Sequence, residues 1–140
     1  MKSTFICNLV KRDPLLLHYF KGVYPACVFG EKNGFYILNT DPAHLPGTHW
    51  VAYWISDGNI EFFDSGGNPP DFYNLPDCTS YNKVAVQGDM PYCGYYCILY
   101  GILKSRNFKM NDIVVEMKQS DTLVAYKTLK HFWIIDKSLH

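Results

Sequence analysis

His49-Trp50-Val51-Ala52-Tyr53-Trp54-Ile55-Ser56-Asp57-Gly58-Asn59-Ile60-Glu61-Phe62-Phe63-Asp64 is the stretch from which the fold class follows. Two β-prone runs, Trp50 to Ile55 and Ile60 to Phe63, flank Ser56-Asp57-Gly58-Asn59, and Asp-Gly between such runs is a strong hairpin signal. With Asp57 and Gly58 at the tip, Ser56 faces Asn59, Val51 faces Asp64 and His49 faces Gly66. His49 and Asp64 are then diagonal neighbours on one face, roughly 7 Å apart at the backbone. An imidazole and a carboxylate close such a gap with a hydrogen bond. A one-residue slip would put them on opposite faces.

Upstream, Asp13-Pro14 followed by Leu15 to Phe20 reads as a short helix, with Asp13 as its cap, Pro14 at the first helical position and Gly22 closing it. Gly34 opens an apolar strand, Phe35 to Leu38, which Asn39-Thr40-Asp41-Pro42 breaks. Downstream, Gly66-Gly67-Asn68-Pro69-Pro70 is loop, and Val84-Ala85-Val86 reads as a short buried strand leading to Gln87. Cys93 to Leu103 is apolar on nearly every side, which marks a buried central helix whose start Pro91 helps to place. Met110 to Lys118 and Asp121 to Trp133 suggest two more helices, with Asn111 and Asp121 as caps. Helices before and after a small, mostly antiparallel sheet indicate an α+β fold.

The chain has 140 residues, 48% of them apolar, with 13 Lys plus Arg against 13 Asp plus Glu. At that size one domain, residues 1–140, buries a sufficient core without a disulfide or metal staple, and the apolar content excludes disorder. Zero formal charge removes the electrostatic footprint of a dedicated nucleic-acid binder. The longest uncharged stretch, Met90 to Leu103, is too short to cross a bilayer, so no membrane span is expected. Asn8 interrupts the apolar run Thr4 to Val10 and no small-residue cleavage site follows, so no secretion signal is read either. The five cysteines (Cys7, Cys27, Cys78, Cys93, Cys97) are odd in number and irregularly spaced, which suits thiols in a reducing compartment.

A thiol at a helix N-terminus meets backbone N–H groups and the positive end of the helix dipole, both of which favour thiolate. Cys93 holds that position, while Cys97, one turn deeper among apolar residues, is the poorer nucleophile. Gln87 lies six residues before Cys93 across a Gly and a Pro that let the chain turn back. Its amide and the Cys93 N–H would then supply the two donors a tetrahedral oxyanion requires. Each residue alone has a plainer reading: Cys93 a small core residue, Gln87 a solvated turn residue, His49 a strand-end histidine, Asp64 the cap of the Ser65-Gly66-Gly67 turn. The hairpin register nevertheless brings base and carboxylate together as nucleophilic catalysis requires.

Thr48-His49-Trp50, Phe62-Phe63-Asp64-Ser65, and Gln87 through Cys93-Gly94-Tyr95-Tyr96-Cys97 resemble, in that order, the His-Trp, acid and Gln-x5-Cys-Gly-x-x-Cys blocks of the adenovirus-protease (adenain) and SUMO-protease clan of cysteine peptidases. Tyr19-Phe20-Lys21-Gly22-Val23-Tyr24 and Asn39-Thr40 are closer to the adenain-like branch. The block from Asn39-Thr40-Asp41-Pro42 to Pro46-Gly47-Thr48-His49-Trp50 looks like the adenain-type proteases of Maverick/Polinton elements and related viruses. The resemblance covers roughly residues 19 to 105. It implies a compact papain-like fold of the adenain type, with Cys93 as nucleophile, His49 as general base and acid, Asp64 as its orienter, Gln87 as oxyanion donor and Trp50 bordering the substrate channel. It further implies cleavage of extended Gly-containing segments, in capsid or other precursor proteins of a virus or mobile element, inside a host cell or a virion, with no metal or organic cofactor.

Adenovirus enzymes carry Glu where this chain has Asp64, although the wider clan uses Asp. The chain is also shorter than those enzymes and neutral, so activation by DNA is not expected, while an activating peptide stays open. Two further readings compete. One keeps the fold and takes the tail of ubiquitin or a ubiquitin-like modifier as substrate. The other is a zinc-binding interaction module using Cys93, Cys97 and a histidine, weakened because the pair lies in a strongly apolar helix and no second Cys pair follows.

Overall fold

The computed structural model describes residues 1–25, 32–40 and 49–138. The hairpin forms in the expected register: β3 (Trp50–Ser56) and β4 (Asn59–Phe63) pair antiparallel from Ser56 opposite Asn59 to Ala52 opposite Phe63. Asp57 (φ 48°) and Gly58 (φ 83°) both take positive φ, as a two-residue hairpin turn that matches strand twist demands. β2 (Gly34–Asn39) pairs antiparallel with β3 on its other edge. The outermost pairings are parallel: β1 (Phe20–Tyr24) joins β2, and the two-residue β5 (Ser80–Tyr81) joins β4. Among the described residues the sheet order is thus β1-β2-β3-β4-β5.

Side chains alternate across the sheet, so β2 and β3 each feed two cores. Phe35, Ile37, Trp50, Ala52 and Phe63 face the helices, and Tyr36, Leu38, Val51, Tyr53, Ile55 and Phe62 pack on the far side under Leu75. The helical layer centres on α3 (Cys93–Ser105), buried along most of its length, with α1 (Ser3–Val10), α2 (Pro14–Tyr19), α4 (Met110–Met117) and α5 (Asp121–Ser138) around it. This is an α+β fold, with the first turn of α3 facing the start of β3.

Gly101 lets α3 approach the sheet. A Cβ there would lie 2.4 Å from the Phe35 ring, which is itself fully buried. Gly101→Ala is expected to lower stability by about 1–3 kcal/mol, read from the midpoint of urea unfolding. Helix propensity alone would raise stability by up to about 1 kcal/mol, so the sign of the change tests the close approach.

Several local expectations need correction. Asp13 does cap α2, accepting from the Leu15 and Leu16 N–H groups, but Gly22 does not close that helix. The chain turns directly into β1 at Phe20, and Gly22 (φ 129°) sits at an irregularity in the β1–β2 pairing. Val84-Ala85-Val86 is not a strand: Val84 and Ala85 are exposed, and the Val86 and Gln87 N–H groups both donate to Ser65 O. Asn111 lies exposed inside the first turn of α4, whose N-cap position is Lys109 with no side-chain cap. Asp121 is not the cap of α5 either; the Ser120 hydroxyl accepts from Leu123 N–H, and Asp121 turns elsewhere. α5 also continues past Trp133 to Ser138, and α1 forms where only an interrupted apolar run was read. Asp41-Pro42 lies outside the described residues.

Candidate active site

Four donors converge on the fully buried carboxylate of Asp64. Oδ1 bonds His49 Nε2 at 2.6 Å and accepts from Gly66 N–H at 3.0 Å, while Oδ2 accepts from Asn68 N–H at 3.0 Å and from the Tyr73 hydroxyl at 2.6 Å. Asn82 anchors the backbone beneath, accepting from Asp64 N–H and donating to Asp64 O. Burial pushes the Asp64 carboxyl up, but the bonds from His49, Tyr73 and Gly66 outweigh it and hold the pKa below the usual value. Asp64 therefore both organises the Ser65–Asn68 turn, as its plainer reading expects, and bonds the His49 ring.

His49 stands one residue before β3, its carbonyl accepting from Thr40 N–H. Nε2 is committed to Asp64, and the next residue, Trp50, gives its backbone N–H to the Cys93 sulfur, so thiol and imidazole meet at the start of β3. Burial pushes the imidazolium pKa down, but the bonds to Asp64 and Cys93 and their negative charge more than reverse this, raising it to about 9. Tyr73 lies along the ring, with centroids 5.5 Å apart.

Cys93 is the first residue of α3 and only 4% exposed. Its Sγ accepts from Trp50 N–H at 3.3 Å. Burial pushes the thiol up, but His49, the Trp50 N–H and the Gly94 N–H together bring it below the usual value. A thiol lowered beside an imidazole raised favours the thiolate–imidazolium form. Cys97 behaves oppositely: it is fully buried, and burial raises its thiol well above the usual value. Cys7 and Cys78 are part-exposed free thiols, Cys78 being raised by burial and by Asp77. Cys27 lies outside the described residues.

Gln87 is held by Ser65, the residue after Asp64. Ser65 O accepts the Gln87 backbone N–H, and Ser65 Oγ donates to Gln87 Oε1. Gln87 Nε2 donates to Met90 O at 2.7 Å, and because a carbonyl only accepts, this bond fixes which end of the amide is nitrogen. The amide lies against the Gly88–Tyr92 segment that leads into Cys93. The Trp50 ring is 6% exposed in the helical core, with its indole N–H on Met1 O, so the part of Trp50 that meets the sulfur is its backbone.

Sequence reasoning placed His49, Asp64 and Cys93 together and missed Tyr73, Ser65 and Asn82. Tyr73 ends a single 3-10 turn, Pro70–Tyr73, after a Pro-Pro pair. Two adjacent aromatics follow those prolines, and nothing local says that Tyr73 turns inward while Phe72 stays 65% exposed. Among the described residues no group of three His, Cys, Asp or Glu side chains could hold a metal ion, and no helix is long and apolar enough to cross a membrane. Compared with known proteins, the chain matches no protein-family model and no curated protein.

Proposed function

We propose that the chain is a cysteine peptidase, and more specifically an endopeptidase of the adenain type with a compact papain-like fold. One observation carries the reading: His49 Nε2 is hydrogen-bonded to a buried carboxylate, and the N–H of the next residue, Trp50, donates to the sulfur of a thiol at the start of a buried helix. The Cys93 thiolate attacks the scissile carbonyl carbon, forming a C–S bond and an oxyanion that the Gln87 side-chain amide and the Cys93 backbone N–H hold. The His49 imidazolium gives its proton to the leaving amine as the C–N bond breaks. Water then attacks the thioester and loses a proton to His49, and the acid departs as the thiolate is restored.

The substrates proposed are extended Gly-containing segments of viral or mobile-element precursor proteins, within a host cell or virion. They rest on the resemblance of the His, acid and Gln–Cys blocks, as does Trp50 beside the channel. The test is hydrolysis of short Gly-containing precursor peptides, run in parallel with Gly-Gly-linked ubiquitin-like substrates, by the wild type and Cys93→Ala. Cleavage of the peptides that Cys93→Ala abolishes supports the endopeptidase. Cleavage confined to the modifier tail would instead make the chain a deubiquitinase- or deSUMOylase-like isopeptidase. Stoichiometric zinc bound through Cys93, with no cleavage, would replace both with an interaction module.

A further inference from the structure

Asp121 is a buried carboxylate that the catalytic chemistry above leaves unused and that α5 does not employ as a cap. It is 7% exposed; two of its described partners, Gly88 and Met90, lie between the proposed oxyanion donor and the proposed nucleophile, and a third, Tyr96, lies in the helix that the nucleophile begins. Oδ1 accepts from Gly88 N–H at 2.8 Å and Oδ2 from Met90 N–H at 2.9 Å, so one side chain grips both ends of Gly88-Asp89-Met90. The hydroxyl of Tyr96, fully buried in α3, donates to Oδ1 at 2.6 Å and ties the same carboxylate to the helix that Cys93 begins. Burial pushes the Asp121 carboxyl up, but the Tyr96, Gly88 and Met90 bonds outweigh it, so it stays charged at neutral pH.

The gripped segment positions Gln87. Met90 O, one peptide away from the N–H that Asp121 holds, is the acceptor for Gln87 Nε2, and Ser65 Oγ holds Oε1. The Gln87 amide is thus fixed at its oxygen end from the Asp64 turn and at its nitrogen end from a loop clamped by α5. An oxyanion donor acts only within about 2.7–3.1 Å of the place where negative charge develops, and misplacement by about 1 Å costs on the order of a hundredfold. We propose that Asp121 is a positioning residue for the oxyanion site, holding the Gly88–Met90 loop so that the Gln87 amide and the first N–H of α3 converge on one oxygen. This rests on the peptidase reading and adds to it a residue from the C-terminal helix.

A merely structural role for Asp121 would lower stability without selecting one step of the reaction. The discriminating comparison sets acyl transfer, which develops an oxyanion, against alkylation by iodoacetamide, in which the Cys93 thiolate displaces iodide and no oxyanion forms. The substrate probe is an acetyl-triglycine coumarylamide. Asp121→Asn keeps the volume but turns an NH2 toward a backbone N–H. It is expected to lower kcat about tenfold or more, with KM and the alkylation rate of Cys93 within about twofold of wild type. Asp13→Asn, at another buried carboxylate, which caps α2 and pairs with Arg106 and His131, serves as the stability control: its melting temperature falls while kcat holds. Should Asp121→Asn not fold, Tyr96→Phe, which leaves the ring in the core and removes one tether of Asp121, is expected to show a smaller loss of the same kind. Unchanged kcat in the folded variant, or parallel losses in kcat and alkylation, would overturn the assignment. A wild type that neither hydrolyses the probe nor alkylates preferentially at Cys93 would overturn the peptidase reading itself, and the assignment with it.

Discussion

His49→Ala is expected to slow alkylation of Cys93 at pH 6 by about 10²–10³-fold. Three groups bring the thiol down against burial: the imidazole, the Trp50 N–H and the Gly94 N–H, of which the imidazole has the largest effect and alone carries a charge. Without it, burial dominates and the thiol returns toward its ordinary range, where only about one molecule in a thousand is thiolate at pH 6. The wild type should show a thiolate plateau that begins below the usual thiol range. Peptide hydrolysis should follow the plateau and decline as His49 loses its proton near pH 9, because the leaving amine then lacks a donor. In His49→Ala the plateau is replaced by a single rise at alkaline pH. Equal pH dependence in the two proteins would show that His49 does not set the state of the sulfur.

Asp64→Asn should combine a catalytic and a structural loss. The carboxylate accepts from Gly66, Asn68 and Tyr73 as well as bonding His49, and an amide cannot serve four donors in this geometry. Leaving such donors buried and poorly paired costs about 3 kcal/mol or more, read from the urea midpoint at pH 7. The sign with pH follows from the lowered carboxyl. Its folded value lies below its unfolded value, so the wild-type advantage is present above about pH 4 and is lost as pH falls through the folded pKa. Hydrolysis should drop by about 10³–10⁴-fold, the scale seen when a catalytic histidine loses its carboxylate. The alkaline limb should move down from about 9, because Asp64 is the main group raising His49. Stability loss with the alkaline limb unmoved would make Asp64 a turn residue alone.

What the residues announce in advance is what nearest neighbours enforce. Asp57-Gly58 can satisfy its positive φ angles in a two-residue turn, and that turn sets the register that carries His49 to Asp64. Cys93 is legible because a proline and an apolar run place the start of α3. The errors arise where a local pattern is redirected by a distant partner. The Val84–Val86 run looks like a strand, yet Ser65 O takes two N–H groups at its end. Asp121 looks like a cap, yet Gly88 and Met90, more than thirty residues away in the chain, claim its oxygens. Tyr73 is invisible for the same reason, because its hydroxyl partner is chosen by how the Ser65–Asn68 turn wraps around Asp64.

The most direct measurement is competitive labelling of the folded wild-type chain with substoichiometric iodoacetamide at pH 6, read as site occupancy by peptide mass spectrometry. The account predicts that Cys93 is modified first and by a wide margin, ahead of the more exposed Cys7 and Cys78, with Cys97 untouched until unfolding. Labelling that follows exposure, with Cys7 and Cys78 ahead of Cys93, would contradict it.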